Sequence, residues 1–176
     1  APDYTAAKES DMNELTPAEV QALHEALDDE YQSWTTYDQV IADFGELRPF
    51  TNIRDAEARH IEALVGLFRR YGLPLPANTW PGRVPRYASV QAACEAAVAA
   101  EIANGQMYER LLTTTLRSDM LGVLRNLQAA SQQRHLPAFQ RCAQGGCRGG
   151  GEGQHRRGRG ARPRAGGPRG TAGNTL

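Results

Sequence analysis

No apolar run in the 176-residue chain approaches the ~20 residues of a membrane-crossing helix, so no bilayer span is expected. Cysteine is scarce, with Cys94, Cys142 and Cys147 the whole complement. Net charge is lacking too, but the formal zero hides an asymmetry. Residues 1–144 hold 19 of the 20 acidic and 13 of the 20 basic side chains, a net of −6, while residues 145–176 hold seven Arg and one Glu, a net of +6. The mildly acidic stretch suits a cation-binding protein better than a nucleic-acid binder. The chain begins Ala1-Pro2-Asp3 rather than with Met. That fits a mature N-terminus left by signal cleavage, hence an exported (periplasmic or extracellular) protein, and fits a shortened chain equally well. At this length one domain with a substantial core is expected.

Residues 1–14 are polar and read as a loose arm. Thr16-Pro17-Ala18-Glu19 is a capping box with Pro at the first helical position, so a helix starts there. Leu23, Leu27, Glu30, Trp34, Tyr37, Ile41 and Phe44 follow in alternating steps of four and three, which puts them on one seam, and Gly45 ends the helix. Pro49 opens a second helix with seam residues Ile53, Glu57, His60, Leu64, Leu67 and Tyr71, closed by Gly72. The prolines at 74, 76, 81 and 85 forbid regular structure in the next stretch. A loop of that length is explained if it crosses the length of a bundle, so that the second and third helices start at the same end. Ser89 caps a third helix carrying Cys94, Ala97, Glu101, Asn104 and Tyr108; Ser118 caps a fourth carrying Leu121, Leu124, Gln128, Ser131, His135 and Cys142. Pro137 is expected to bend the fourth. The expectation is an all-α, antiparallel four-helix bundle over 15–144, with a long crossover between helices two and three. From 145 the chain is Gly, Arg and Pro without apolar periodicity and reads as disordered. Such basic tails also bind RNA or anionic surfaces, though a solvated tail is the commoner case.

The seam of a bundle should be apolar, yet the middle of this one is not. Glu30 and Tyr37 are seven apart, as are Glu101 and Tyr108; Glu57-x-x-His60 in the first half faces Gln132-x-x-His135 in the second. Three buried, unpaired carboxylates would each cost several kcal/mol. Divalent cations compensate such groups directly, and a two-metal centre inside a bundle needs this combination of carboxylates and imidazoles. A lone Glu-x-x-His is common on helix surfaces; a repeated set on four seams is not. His24, Glu25, Glu62 and Glu109 read as surface, Trp34, Phe44, Phe68 and Phe139 as core, and Met107 and Met120 as packing.

Glu30, Glu57-x-x-His60, Glu101 and His135, with the long crossover, resemble the ferritin-like superfamily of di-iron carboxylate proteins. Tyr37-Asp38-Gln39-Val40-Ile41 to Phe50, Arg54 to His60, and Ala130-Ser131 through His135-Leu136-Pro137-Ala138-Phe139 look closer still to one bacterial and archaeal branch, known only as a ferritin-like domain of unknown function. The resemblance covers about residues 15–142. It implies oxidoreductase chemistry, of ferroxidase or peroxide type, with dioxygen or peroxide at two irons; Mn, Zn or Cu are other candidates. It carries ligand roles to Glu30, Glu57, His60, Glu101 and His135. It does not carry one to Gln132, whose amide is a weak neutral ligand. Two divalent ions bring four positive charges against three carboxylates, so one positive charge is left for an added anion, and charge counting predicts that Gln132→Glu tightens the second ion. Tyr37 and Tyr108 read either as hydrogen-bond donors or electron relays serving the chemistry, or as packing with a satisfied hydroxyl.

Cys94 lies seven residues before Glu101, and Cys142 seven after His135. With the third and fourth helices antiparallel and Glu101 level with His135, the two cysteines come level, which predicts a Cys94–Cys142 disulfide and an oxidising compartment. Two buried thiols are the alternative. Cys147 is expected to be free in the tail. The rivals to a di-metal oxidoreductase are a non-enzymatic metal-sequestering protein and a metal-free bundle with a hydrogen-bonded polar seam. The pattern leaves a homodimer open.

Overall fold

The chain is described by a computed structural model over residues 14–149. Its elements are α1 (Pro17–Phe44), β1 (Leu47–Arg48), α2 (Phe50–Arg70), α3 (Val90–Leu111), α4 (Ser118–Ala130), a π-helical turn (Ser131–His135), α5 (Leu136–Arg141), a second π-helical turn (Cys142–Gly146) and β2 (Arg148–Gly149). From α4 to the second π turn the chain forms one interrupted helical segment, so four helical segments make up an all-α fold. The two short strands pair antiparallel, Leu47 with Gly149 and Arg48 with Arg148.

Local chemistry fixes the ends. The Thr16 hydroxyl accepts the Glu19 N–H at 3.2 Å, and the Glu19 carboxylate accepts the Thr16 N–H at 2.9 Å. That carboxylate also accepts the Thr115 hydroxyl at 2.6 Å and the Arg117 guanidinium at 3.2 Å, tying the start of α1 to the connection before α4. Gly72, at φ +64, closes α2 while the Leu73 N–H bonds back to the Phe68 carbonyl at 2.9 Å. The Ser89 hydroxyl caps α3 by accepting the Ala92 N–H at 3.1 Å. Ser118 is not the cap of α4. It is the first helical residue, Arg117 occupies the cap position, and no side chain caps that end. The Thr115 hydroxyl has already taken the Arg117 N–H at 3.0 Å, turning the chain one residue early.

The crossover runs along α1. Tyr31 donates to the Pro76 carbonyl at 3.3 Å, Asn78 to the Thr35 hydroxyl at 3.0 Å, and Arg86 to Asp43 at 3.1 Å. Helices α2 and α3 therefore start at the same end. α1 packs on both α2 and α3, and the fourth segment packs on the same two. Contacts such as Tyr108 to Glu30 and Tyr37 to Glu101, whose numbers run in opposite directions, make these neighbours antiparallel.

The apolar core comes in two clusters. One holds Leu23, Leu27, Leu64, Phe68, Leu111, Met120 and Leu124. The other holds Val40, Phe50, Ile53, Ala97, Phe139 and Cys94, with the Tyr37, Phe50 and Phe139 rings 5.0 to 5.9 Å apart. Burying a large apolar side chain contributes roughly 1.5–3 kcal/mol. These clusters supply the cohesion that lets a polar band persist between them.

The fourth segment adds one feature to what the sequence predicts and corrects another. Ahead of Pro137 lies a widened turn, in which the Leu136 N–H reaches back five residues to the Ser131 carbonyl. Pro137 has no N–H for the Gln133 carbonyl, so a regular ladder could not be kept there. The chain past 144 is also partly ordered, since residues 145–149 take up the second π turn and β2. The arm over 1–13 and the tail over 150–176 lie outside the described residues.

The expected sulfur pairing gains a third member. The Cα atoms of Cys94 and Cys142 are 5.8 Å apart and their sulfurs are within bonding distance. Cys147, expected free in the tail, is also within bonding distance of Cys142, with Cα atoms 4.6 Å apart, and its sulfur is 3.4 Å from that of Cys94. A sulfur forms one disulfide at a time, so Cys142 bonds to one neighbour and the other keeps a thiol.

Candidate metal centre

Between the two apolar clusters lie Glu30, Glu57, Glu101 and His135, all buried, with His60 nearly so. Each helical segment contributes from its middle: α1 gives Glu30, α2 gives Glu57 and His60 one turn apart, α3 gives Glu101, and the first π turn gives His135. His60 Nδ1 is 2.7 Å from Glu57 Oε2 and 3.2 Å from Glu30 Oε2. His135 Nδ1 is 3.2 Å from Glu57 Oε1 and 3.6 Å from Glu101 Oε1, out of line for a hydrogen bond, and is left without a partner. The imidazoles stack, centroids 5.4 Å apart. Two groups result, Glu30–Glu57–His60 and Glu57–Glu101–His135, in each of which the ligand atoms lie within 4.8 Å of one another. Glu57 belongs to both. The sequence reads Glu57 and His60 as holding one ion, with Glu30 and Glu101 bridging or capping; in the structure it is Glu57 that is common to both groups.

Two tyrosines cross the interface between α1 and α3. Tyr37 donates to Glu101 Oε1 at 2.9 Å, and Tyr108 donates to Glu30 Oε1 at 2.5 Å. Each tyrosine therefore orients the carboxylate of the opposite half. Three further residues went unassigned in the sequence. Ser131 donates to Glu101 Oε2 at 2.6 Å. Asp29, beside Glu30, accepts the Asn104 amide at 2.6 Å, and the Asn104 carbonyl oxygen is buried without a partner. Asn104 and Ser131 lie on the seams read from sequence; Asp29 lies off its seam and carried no periodic signal.

The electrostatics follow from burying like charges together. Burial and the neighbouring Glu57 charge push Glu30 well above the ordinary carboxyl range. Burial also pushes Glu57 upward, but His135, His60 and a hydrogen bond shared with Glu30 outweigh it and hold Glu57 at about 2. Burial opposes charge on both imidazoles, yet Glu30 and Glu57 raise His60 to about 10, and Glu101 and Glu57 raise His135 to about 9. Asp29 rises to about 6 through burial, against the Asn104 hydrogen bond and with the Glu101 charge adding. Burial drives both tyrosine hydroxyls well above their usual range, so they stay donors. Without a cation, protons hold this cluster together; a cation would take their place.

Gln132, at most a weak neutral helper ligand in the sequence, has its amide nitrogen engaged away from the carboxylates. Its amide donates to the Glu101 backbone carbonyl at 2.8 Å and to the Ser131 hydroxyl at 3.0 Å. It fills a space against Gly105, where an added Cβ would overlap the amide. The widened turn is the reason. Its extra residue means that the side chain one turn before His135 and facing the cluster is Ser131, four positions back, whereas α2 presents Glu57 three positions before His60. The Gln132-x-x-His135 spacing copies Glu57-x-x-His60 in sequence without copying it in space.

No protein-family model matches the chain, and no curated protein matches it. Among solved structures, the crystal structure of the hypothetical protein MJ0754 from Methanococcus jannaschii is similar, with a TM-score of 0.67 and 20% identity over 74% of this chain and 82% of that one. The two share a fold. At that identity the likeness says nothing about chemistry.

Proposed function

We propose that the chain is a ferritin-like protein whose bundle holds two divalent metal ions, iron first among them, and carries out redox chemistry with dioxygen or peroxide. One observation carries the reading: three carboxylates and two imidazoles converge in an otherwise apolar interior, with a carboxylate common to two three-residue groups and a buried imidazole nitrogen lacking a partner. In this reading Glu30, Glu57 and His60 would hold one ion, and Glu57, Glu101 and His135 the other. Tyr37, Tyr108 and Ser131 orient the carboxylates. When bound, the ions supply Lewis acidity and, for iron, one-electron chemistry. The chain supplies a dry enclosure, fixed ligands and tyrosine protons beside them. The sulfur cluster supports an oxidising, exported setting. The test is metal analysis of protein reconstituted with ferrous iron, then oxygen consumption with ferrous iron in excess. Two ions per chain with turnover are expected; protein that stays metal-free at micromolar iron sinks the reading.

One observation favours a second reading, the metal-free network. Glu30, Glu57 and Glu101 each already have partners: His60 and Tyr108 from neighbouring helices for Glu30, His60 on its own helix for Glu57, and Tyr37 and Ser131 from neighbouring helices for Glu101. Two ions and no turnover would instead mark a sequestering protein.

A further inference from the structure

Between α2 and the fourth helical segment lies a cleft of about 690 Å³ with His60 and His135 at its floor. Arg48 and Arg59 stand on one side of it, Arg134 and Arg141 on the other. No Asp or Glu lines it. By contrast, Arg54 pairs with Asp38 and Asp55, Arg70 with Asp119, Arg86 with Asp43 and Arg110 with Glu25. None of the four at the cleft has an ion-pair or hydrogen-bond partner for its guanidinium among the described residues. Residues 1–144 carry a net charge of −6, so a concentration of four uncompensated cations is not what the average composition would give. Two of them repeat: Arg59-His60 and Arg134-His135 put the same dipeptide on facing walls. The lower walls are apolar, from Ile53, Leu127 and the alanines.

We propose that this cleft admits and binds a small organic anion, a molecule with a carboxylate or phosphate head and a short apolar body. The guanidinium fork matches either head in two-point geometry, and facing pairs can grip it from both sides. Low-dielectric walls focus the field of like charges toward the floor. The volume falls in the range of small-molecule sites and exceeds what a free inorganic ion fills. The inference deepens the proposed metal centre and rests on it for what the anion meets: a head group at the floor brings the negative charge that three carboxylates leave short against two divalent ions.

The test titrates hexanoate, hexyl phosphate and hexanol into the full chain, once chelated and once zinc-loaded, with metal content measured on the same samples. Saturable binding of one or both anions is expected, at least tenfold tighter than hexanol, weakening with salt and tightening with zinc. The exposed pair R59A/R134A should weaken the anion about tenfold or more with an unchanged melting temperature, while R83A, on the crossover, should not. Equal binding of hexanoate and hexanol, no binding of either anion, or wild-type affinity in R59A/R134A would overturn the cleft. Failure of zinc to load, with anion binding intact, would instead sink the metal centre and leave the cleft standing.

Discussion

The two halves of the molecule use one pattern and arrive at different geometries. α1 and α2 give Glu30, Tyr37, Glu57 and His60 on regular helices; α3 and the fourth segment give Glu101, Tyr108 and His135, with a widened turn where the second carboxylate would stand. The first half supplies two carboxylates and an imidazole that touches both. The second supplies one, and its imidazole must borrow Glu57 from across the bundle. One inserted residue explains the difference. In a regular helix a residue three back from a histidine shares its face; in a π turn that residue swings aside and the fourth back takes its place. The second half makes up a three-residue group only because the first shares Glu57.

The strongest way to break the comparison is Glu57→Ala. It should abolish binding of both ions, whereas Glu101→Gln should cost one, as counted by elemental analysis after reconstitution. In chelated protein, loss of Glu57 leaves two buried cationic imidazoles short of their shared counter-charge. A loss of about 3–5 kcal/mol is expected in denaturant unfolding at neutral pH. Equal stoichiometry in both variants would mean that the halves bind independently.

Acidity probes the halves next. In chelated protein, folded-state values of about 10 for His60 and about 9 for His135, both above 6.5, mean that their stabilisation is fully present below pH 6.5 and fades as pH rises through 9 to 10. Glu57, lowered to about 2, works the other way, stabilising above pH 4.5 and losing that as pH falls toward 2. Asp29, raised to about 6, stabilises below pH 3.8 and loses that through pH 6. The melting temperature of chelated protein should therefore fall steadily above pH 6.5, and imidazole proton resonances should titrate in two steps. The lower step should vanish in H135Q, the half with fewer carboxylates. Metal loading at pH 7 should release protons, measurable in weakly buffered solution.

A third difference is covalent. Only the second half carries cysteines, and they tie the start of α3 to the end of the fourth segment across 48 residues. Cys142→Ser should cost about 2–4 kcal/mol, while Cys94→Ser and Cys147→Ser should each leave one disulfide through Cys142. Mass analysis after alkylation should find one alkylated thiol per native chain. Three alkylated sites without reductant would remove the tie.

The helices and their order were legible because each carries its own signal. Thr16 with Glu19, Gly72 and Ser89 mark ends by hydrogen bonds a short motif can encode, and the four-three stepping needs only local geometry. The convergence of Glu30, Glu57, Glu101, His60 and His135 was legible for the same reason: polar residues on an apolar seam must face one another. What could not be read is what depends on three dimensions. The π turn comes from a missing donor at Pro137 combined with packing, and it moved the inward role from Gln132 to Ser131. The pairing of each tyrosine with the opposite half depends on the antiparallel register of α1 and α3. Cys147 returns because residues 145–149 fold back onto β1, against a composition that reads as tail.

The tyrosines offer a smaller test. Tyr108→Phe removes a 2.5 Å hydrogen bond to Glu30, whose carboxyl burial pushes above its ordinary range, and Tyr37→Phe removes a 2.9 Å bond to Glu101, which keeps Ser131 as a second donor. Glu30 keeps His60. Each variant should cost about 1–2 kcal/mol. Each should weaken the ion on the opposite half from the tyrosine's own, an inversion that same-half pairing would not produce.

The smallest expected effect is the most diagnostic. Charge counting alone predicts that Gln132→Glu tightens the second ion; the geometry predicts that metal stoichiometry and affinity stay as they are, because position 132 faces the Glu101 carbonyl and Gly105 rather than the cluster. The new carboxylate would meet a carbonyl oxygen where the amide donated, so a stability loss of about 1–3 kcal/mol should accompany it. Ser131→Glu combined with deletion of Gln133 tests the converse. Removing the extra residue restores three-residue spacing to His135 and puts a carboxylate where α2 has Glu57, so the second ion should bind more tightly. If Gln132→Glu alone produced that gain, the widened turn would not be what sets the two halves apart.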